Sequence, residues 1–221
     1  MDVNSYGRQL TPAEIDAKAH REFVGGMWDE IGALQLDFMR GRGLKPSHRF
    51  VDVGCGALRG GVHFVRYLER SRYHGLDVNA SLIEAGRKEL RDAGLGDKDA
   101  QLLVSDRFDL DRFGRQFDYA IAVSLFTHLP MNHITVCLNR IARVLEPAGC
   151  FYASYFHAPT RAHLDPIEHP PAGIVTQFDR DPYHYSLDEL RWMAPAQLDV
   201  ERIGGWGHPR GQSMVAFRRI G

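Results

Sequence analysis

Cysteine is scarce and badly spaced for its structural uses. Three in 221 residues, at positions 55, 137 and 150, are odd in number and form no Cys-x-x-Cys pair, which argues against a disulfide framework and a cysteine-built zinc site. Net charge is missing too. With 27 basic against 28 acidic side chains, there is no electrostatic footprint for tracking a phosphate backbone, so no nucleic-acid partner is expected. No apolar run approaches the length of a bilayer span, and Met1-Asp2-Val3-Asn4-Ser5-Tyr6 has no basic patch before an apolar core. These absences predict a soluble protein of a reducing cytoplasm with no membrane partner. Internal repeats and low-complexity tracts are absent as well, and the length suits one well-buried core.

What the chain does have is Phe50-Val51-Asp52-Val53-Gly54-Cys55-Gly56, followed at Asp77, 21 residues after Gly56, by the acidic end of a second apolar run. An acid inside a hydrophobic strand, two glycines at its exit and a later carboxylate form a nucleoside-binding signature. The glycines permit a tight turn and close backbone approach to a ligand, and the carboxylate can accept both hydrogen bonds of a ribose diol. A dinucleotide site would need a third glycine at position 59, to seat pyrophosphate on the following helix. Arg59 stands there instead, which weakens an NAD-linked reading. The acid, spacer and Gly-x-Gly resemble the first motif of class I S-adenosylmethionine-dependent methyltransferases of the small-molecule type, and the resemblance covers residues 48–157.

Apolar runs alternate with helical patterns from residue 50 onward, as in an open α/β sheet. Strands are expected near 50–53, 73–77, 101–105, 118–124 and 150–156, with amphipathic crossover helices over 81–91 and after Pro130. Ser186 opens a short helix, and 198–203 and 213–218 alternate as a hairpin. The family ends its sheet in this way. The resemblance therefore implies a Rossmann-like seven-stranded methyltransferase sheet with helices on both faces and the last strand antiparallel. Residues 1–46 are expected to form an N-terminal helical cap, in which Thr11-Pro12-Ala13-Glu14 starts a helix pair lying over the cofactor face. Residues 47–221 then form the core. Glu146-Pro147-Ala148-Gly149 keeps the proline of the family's Pro-Gly-Gly turn before the fifth strand and lacks one glycine.

S-adenosylmethionine, the cofactor that the resemblance implies, offers an amino-acid end, a ribose diol and an adenine ring. Asp77 is placed for the ribose hydroxyls, with Asn79 and Ser81 beside it to cap the next helix. The family pattern puts Asp106 against the adenine amino group and the Arg107 N–H on a ring nitrogen, with Phe108 or Leu82 against the ring. Gly54, Cys55 and Gly56 form the loop, and Asp52 could fix it through its backbone amides. Arg59 could meet the methionyl carboxylate, and Gln35 could reach the same end. The fourth strand ends Val123-Ser124-Leu125-Phe126-Thr127-His128, resembling the segment that lines the methyl-transfer pocket, so Ser124 joins the cofactor set. His128 is the first candidate for a general base, a task suited to an unperturbed pKa near neutrality. His208 is the second.

From His157 to Tyr185 the chain is rich in proline and histidine. A loop of this length is uncommon unless functional or disordered, and about 157–185 is expected to cover a small-molecule substrate. Tyr155, His157, Tyr183, His184, Tyr185 and Trp206 are its candidate contacts. Although His157, His163 and His169 are evenly spaced, they share no helical face and no fixed acid pair accompanies them, so no metal is expected. The favoured activity is O-methylation of a sugar or secondary-metabolite hydroxyl. Alternatives are a non-catalytic S-adenosylmethionine-binding regulator or partner, and an NAD-linked oxidoreductase.

Overall fold

A computed structural model describes residues 7–221. The stretch read above for the lack of a leader, residues 1–6, lies outside the described residues. The chain packs as two compact units, one ending at Asp109 and the other running from Leu110 to Gly221.

In the first unit Phe50–Val53 (β1), Tyr73–Asp77 (β2) and Gln101–Val104 (β3) are parallel, in the order β3-β2-β1. Every residue of β1 and β2 is buried, as expected for parallel strands covered on both faces. Gly75 pairs with Asp52, and a Cβ on it would meet Cys55 Sγ at 2.9 Å and Leu102 Cδ2 at 2.8 Å, so only glycine allows the loop after β1 to lie this close.

The N-terminal segment forms three helices where two were expected: Pro12–Asp16 (α1), His20–Phe23 (α2) and Trp28–Gly41 (α3). Thr11 starts α1 as its spacing with Glu14 predicts, since its hydroxyl accepts from Glu14 N–H while the Glu14 carboxylate takes the Thr11 N–H. Lys18 then turns left-handed at φ 60°, as do Gly25, Gly26 and Met27 at 95°, 64° and 48°. The first of these breaks is invisible to pattern reading because lysine favours helix. Gly41 ends α3 from within it.

Gly61–Tyr67 (α4) and Ala80–Asp92 (α5) complete the unit. Phe64 of α4 packs on Phe50, ring centroids 4.4 Å apart. Glu89 of α5 ties down α2, accepting from Arg21 through both oxygens at 2.8 Å and contacting His20 Nε2 at 2.8 Å.

In the second unit Phe117–Ala122 (β4) runs parallel to Leu145–His157 (β5). The helix between them, Met131–Val144 (α6), buries Ile134, Leu138 and Ile141 as its periodicity predicts. Three short strands follow: Ile167–His169 (β6) and Ile174–Thr176 (β7) form an antiparallel hairpin, and His184–Tyr185 (β8) pairs with the end of β5. The 157–185 segment is thus ordered by its own hairpin and by pairing with the end of β5.

Ser186 caps Leu187–Met193 (α7) through a reciprocal bond with Glu189. Leu198–Gly205 (β9) and Ser213–Arg219 (β10) close the unit, with β10 antiparallel to both β5 and β9. Phe126, Phe151 and Phe217 form its aromatic core, with centroids 5.8–6.2 Å apart. The shortened proline turn has its cost written in the backbone, as Ala148 takes φ 64°.

Apart from the three short strands, the strands of the two units are the expected seven. They form a mixed α/β architecture with flanking helices and the last strand antiparallel. Among the described residues no helix is long and apolar enough to cross a membrane.

Candidate functional site

The loop after β1 is built by glycine and closed by the acid of β2. Gly54 and Gly56 take φ 73° and 53°, conformations that disfavour a Cβ. The N–H groups of Gly54 and Cys55 both donate to Leu76 O, at 2.7 and 3.1 Å. Asp77 Oδ2 accepts from Gly56 N–H and Oδ1 from Asn79 N–H, each at 2.8 Å. Burial pushes the Asp77 carboxyl above its ordinary range, opposed by the N–H groups of Asn79, Gly56 and Val78. These N–H groups do not use all of the roughly four lone-pair sites of an ionised carboxylate, so the residue can still accept from a ribose hydroxyl.

Loop fixing was expected of Asp52, and the structure corrects this: Asp77 holds the loop, while Asp52 Oδ2 accepts from the Tyr73 hydroxyl at 2.9 Å. Burial is the largest influence on Asp52 and raises its pKa to about 7. Arg59 is drawn into the scaffold. Its guanidinium is buried and donates to Val24 O at 3.1 Å and Gly26 O at 3.0 Å, so it pins the chain between α2 and α3 to the glycine loop. Gln35, on α3, is buried with its amide against Gly60, where any Cβ would collide with it.

Asn79 accepts from the N–H groups of Ser81 and Leu82 at 3.0 and 3.3 Å and donates to Arg8 O at 2.7 Å, which makes it the cap of α5. Leu82 sits in a cluster with Leu10, Ala57 and Ala85, so it serves the core and not an exposed ring site. After β3, Ser105 Oγ shapes the turn by accepting from the N–H groups of Arg107 and Asp109 at 3.1 Å. Asp106 and Arg107 stand exposed there. Two apolar residues that the sequence did not single out are exposed at neighbouring strand ends: Val78, 54 % exposed just after β2, and Val104, 42 % exposed and paired with Asp77. Only the register of β2 against β3 reveals that pairing.

In the second unit Ser124, at φ 59°, belongs to a closed polar ring: its N–H donates to Ser154 Oγ at 2.7 Å, Ser154 Oγ to Gln212 Oε1 at 2.6 Å, and Gln212 Nε2 to Ser124 Oγ at 3.0 Å. Gln212 carries no motif that sequence reading could have used. His128 Nδ1 lies 2.5 Å from Asp181 Oδ1. A donor beside a carboxylate keeps the proton on Nδ1 and, in the neutral ring, the lone pair on Nε2. His208 shows the opposite arrangement, being buried, stacked on Trp206 at 5.3 Å, and accepting from Arg210 N–H through Nδ1 at 3.2 Å. Its neutral ring therefore carries hydrogen on Nε2, a donor and not a base.

Of the expected substrate contacts, His184 and Tyr185 are buried in the scaffold. His184 bridges Thr176 Oγ1 and His163 O, both at 2.8 Å, and the Tyr185 hydroxyl donates to Leu129 O at 2.6 Å. Tyr155 is wholly buried beside His157, and Trp206 nearly so. Burial, then Arg202, holds the His157 imidazole below its ordinary pKa. Tyr183 stays partly exposed, stacked on Tyr185 at 6.2 Å. Among the described residues no group of three histidine, cysteine or acidic side chains is arranged to hold a metal.

Residues 51–151 match the family model of a methyltransferase domain. Aklanonic acid methyltransferase DauC of Streptomyces sp. (strain C5) is 25% identical over 221 residues, which cover 95% of this chain and 96% of that protein. The CcbJ methyltransferase of Streptomyces caelestis superposes with a TM-score of 0.71 at 17% identity, each chain covered in full (100%). The S-adenosylmethionine-bound CalS10, an amino pentose methyltransferase from Micromonospora echinaspora, does so with a TM-score of 0.64 at 16% identity, covering 96% of this chain and 98% of that one. Residues 51–151 are thus similar to a methyltransferase domain, and the chain shares the Rossmann-like fold of these solved methyltransferases.

Other curated relatives are longer: the match spans 46% of an uncharacterised Rickettsia prowazekii protein and 35% and 29% of two plant sterol C-methyltransferases. A fatty-acid O-methyltransferase and a ribosomal RNA methyltransferase are also among them, so kinship alone does not choose the methylated atom.

Proposed function

We propose that the protein binds S-adenosylmethionine and catalyses transfer of its methyl group to a small polar acceptor, a hydroxyl oxygen of a sugar or secondary metabolite. The observation that carries the cofactor reading is the bond from Gly56 N–H to Asp77, which fastens a strand-end carboxylate to a left-handed glycine loop. The residues fit the group. Asp77 has acceptor capacity left for the ribose, and Val78 and Val104 offer apolar surface beside it for a ring. Asp106 is exposed for the adenine amino group, while the Arg107 N–H expected at a ring nitrogen is already held by Ser105 Oγ, and Gln35 supplies an amide for the amino-acid end.

When bound, the cofactor supplies a methyl group on a positive sulfonium, which departs as a neutral thioether. This chain has two tasks, to align the acceptor and to receive its proton. Alignment supplies roughly 7–11 kcal/mol of such a barrier, and a positioned base about 10²–10⁴-fold in rate. His128 is the proposed base, supported by the tautomer that Asp181 favours. Likeness over nearly the full length to methyltransferases named for aklanonic acid and an amino pentose supports a small-molecule acceptor.

The test is the melting temperature with S-adenosylmethionine, S-adenosylhomocysteine and NAD, on wild type and Asp77→Ala. Ligand at about 100 times its Kd stabilises by roughly 2.7 kcal/mol, on the order of 5–10 °C for a chain this long. A shift with both adenosyl ligands that Asp77→Ala removes is the expected result. No shift with either, in ligand-free protein, sinks the reading, and a shift with NAD alone replaces it with the oxidoreductase.

A further inference from the structure

Nothing in the sequence joins Asp181 to His128, 53 positions away, yet the fold brings Asp181 Oδ1 to 2.5 Å from His128 Nδ1. The approach is no chance crossing of surface side chains, because the backbone on both sides of His128 is bound by residues that follow Asp181. Thr127 O accepts from Tyr183 N–H at 2.7 Å, and Leu129 O accepts from the Tyr185 hydroxyl at 2.6 Å. The residues flanking His128 are therefore bound by residues just beyond Asp181. Behind this contact Gln177 N–H donates to Pro182 O at 2.8 Å, and Thr176 Oγ1 joins His169 Nε2 at 2.9 Å to His184 Nδ1 at 2.8 Å. The ordered 157–185 segment thus delivers one carboxylate to one imidazole, each about a quarter exposed at 25% and 23%.

We infer that Asp181 is a positioning residue for His128: its carboxylate accepts the Nδ1 proton and fixes the ring as the Nδ1–H tautomer, with the lone pair on Nε2 for an acceptor's proton. The inference deepens the methyltransferase reading and rests on it. In the step served, the acceptor oxygen forms its bond to the methyl carbon while the carbon–sulfur pair returns to sulfur. The hydroxyl proton passes to Nε2, and the resulting imidazolium faces the Asp181 carboxylate. A serine hydrolase triad uses a buried aspartate in the same sense, holding a tautomer without itself taking the proton. The arrangement also explains why the two histidines are not equivalent, since His208 accepts a hydrogen bond at Nδ1 where His128 donates one.

The experiment is a histidine side-chain ¹⁵N spectrum of the full chain above the histidine titration range, on wild type, Asp181→Ala, Asp181→Asn and Asp181→Glu. The melting-temperature shift with S-adenosylhomocysteine is recorded on each as a separate readout. Wild-type His128 is expected with its proton on Nδ1. Asp181→Ala moves the proton mainly to Nε2, Asp181→Asn gives a mixed population, and Asp181→Glu restores Nδ1–H. A role confined to holding the loop would leave the tautomer unchanged wherever the backbone bond from Tyr183 to Thr127 survives. If Asp181→Ala loses that bond, the isosteric Asp181→Asn decides. Nε2–H in the wild type, or a tautomer indifferent to Asp181→Asn, overturns the inference. Absence of an S-adenosylhomocysteine shift overturns the cofactor reading and leaves the tautomer result standing, so the two failures are distinguishable.

Discussion

Asp52 and Tyr73 are buried together in β1 and β2, where the Tyr73 hydroxyl donates to Asp52 Oδ2. Burial raises the Asp52 carboxyl from an ordinary 3.8 to about 7, against the opposing bond from Tyr73. The sign follows from linkage. Between about pH 4 and 7 the folded state keeps a proton that the unfolded state releases, so this residue's contribution to stability is lost as pH rises through that window. Asp52→Asn keeps an acceptor for Tyr73 and cannot ionise. Its stability relative to wild type, followed by melting temperature, is expected to climb from pH 4.5 to 7 and then level, by an amount on the order of 2–4 kcal/mol. A flat difference across that range would show that Asp52 titrates normally. Ala148 is a simpler case: at φ 64° it bears a left-handed cost of about 1–2 kcal/mol, partly offset by the greater unfolded-state freedom of glycine. Ala148→Gly is expected to stabilise by about 0.5–1 kcal/mol, a rise of about 1–4 °C in a melting curve.

At the scale of elements, the 157–185 segment holds together through the chain His169, Thr176, His184 and His163 O. Burial, then the charges of His184 and His157, lower His169 to about 4. A histidine depressed below its unfolded value of about 6.5 stabilises fully above that value and loses the contribution as pH falls toward 4. Acidification from pH 7 to 5 should therefore cost the hairpin of β6 and β7 up to about 2 kcal/mol. Faster amide hydrogen exchange over 167–185 is the expected readout, while β1 and β2 stay protected. Equal acceleration everywhere would place the sensitivity outside this segment. Period and capping made most elements legible beforehand: β2 is bounded by Tyr73 and Asp77 as read, and Ser186 with Glu189 starts α7 as read. What pattern reading missed was set by long-range contacts. Lys18 turns left-handed inside a helical pattern, β8 exists only because β5 offers an edge, and β6 and β7 pair within a proline- and histidine-rich tract that shows no strand-like alternation.

Over the whole molecule the proposed tasks fall in different parts of the chain. The residues read as cofactor ligands and still fitted for it, Gln35, Gly54, Gly56, Asp77 and Asp106, precede Asp109, where one unit ends, and His128 and Asp181 follow it. The motif was legible because loop chemistry demands glycine and acid at fixed offsets. His128 was legible only as a histidine after a strand, and its partner was not legible at all, since a contact across 53 positions leaves no local trace. This division predicts that the two functions separate by mutation. Asp77→Ala removes the thermal shift with S-adenosylhomocysteine, because the carboxylate fixes the loop through Gly56 and accepts from the ribose. His128→Ala retains that shift within about 1 °C, since it changes nothing in the glycine loop, yet it lowers methyl transfer to any acceptor found with labelled donor by about 10²-fold or more. The kinetic form matters as much as the size: loss of a base lowers kcat and kcat/KM together, whereas loss of acceptor binding raises KM with kcat unchanged. Unchanged turnover in His128→Ala would remove the residue from the chemistry and leave alignment alone to account for the rate.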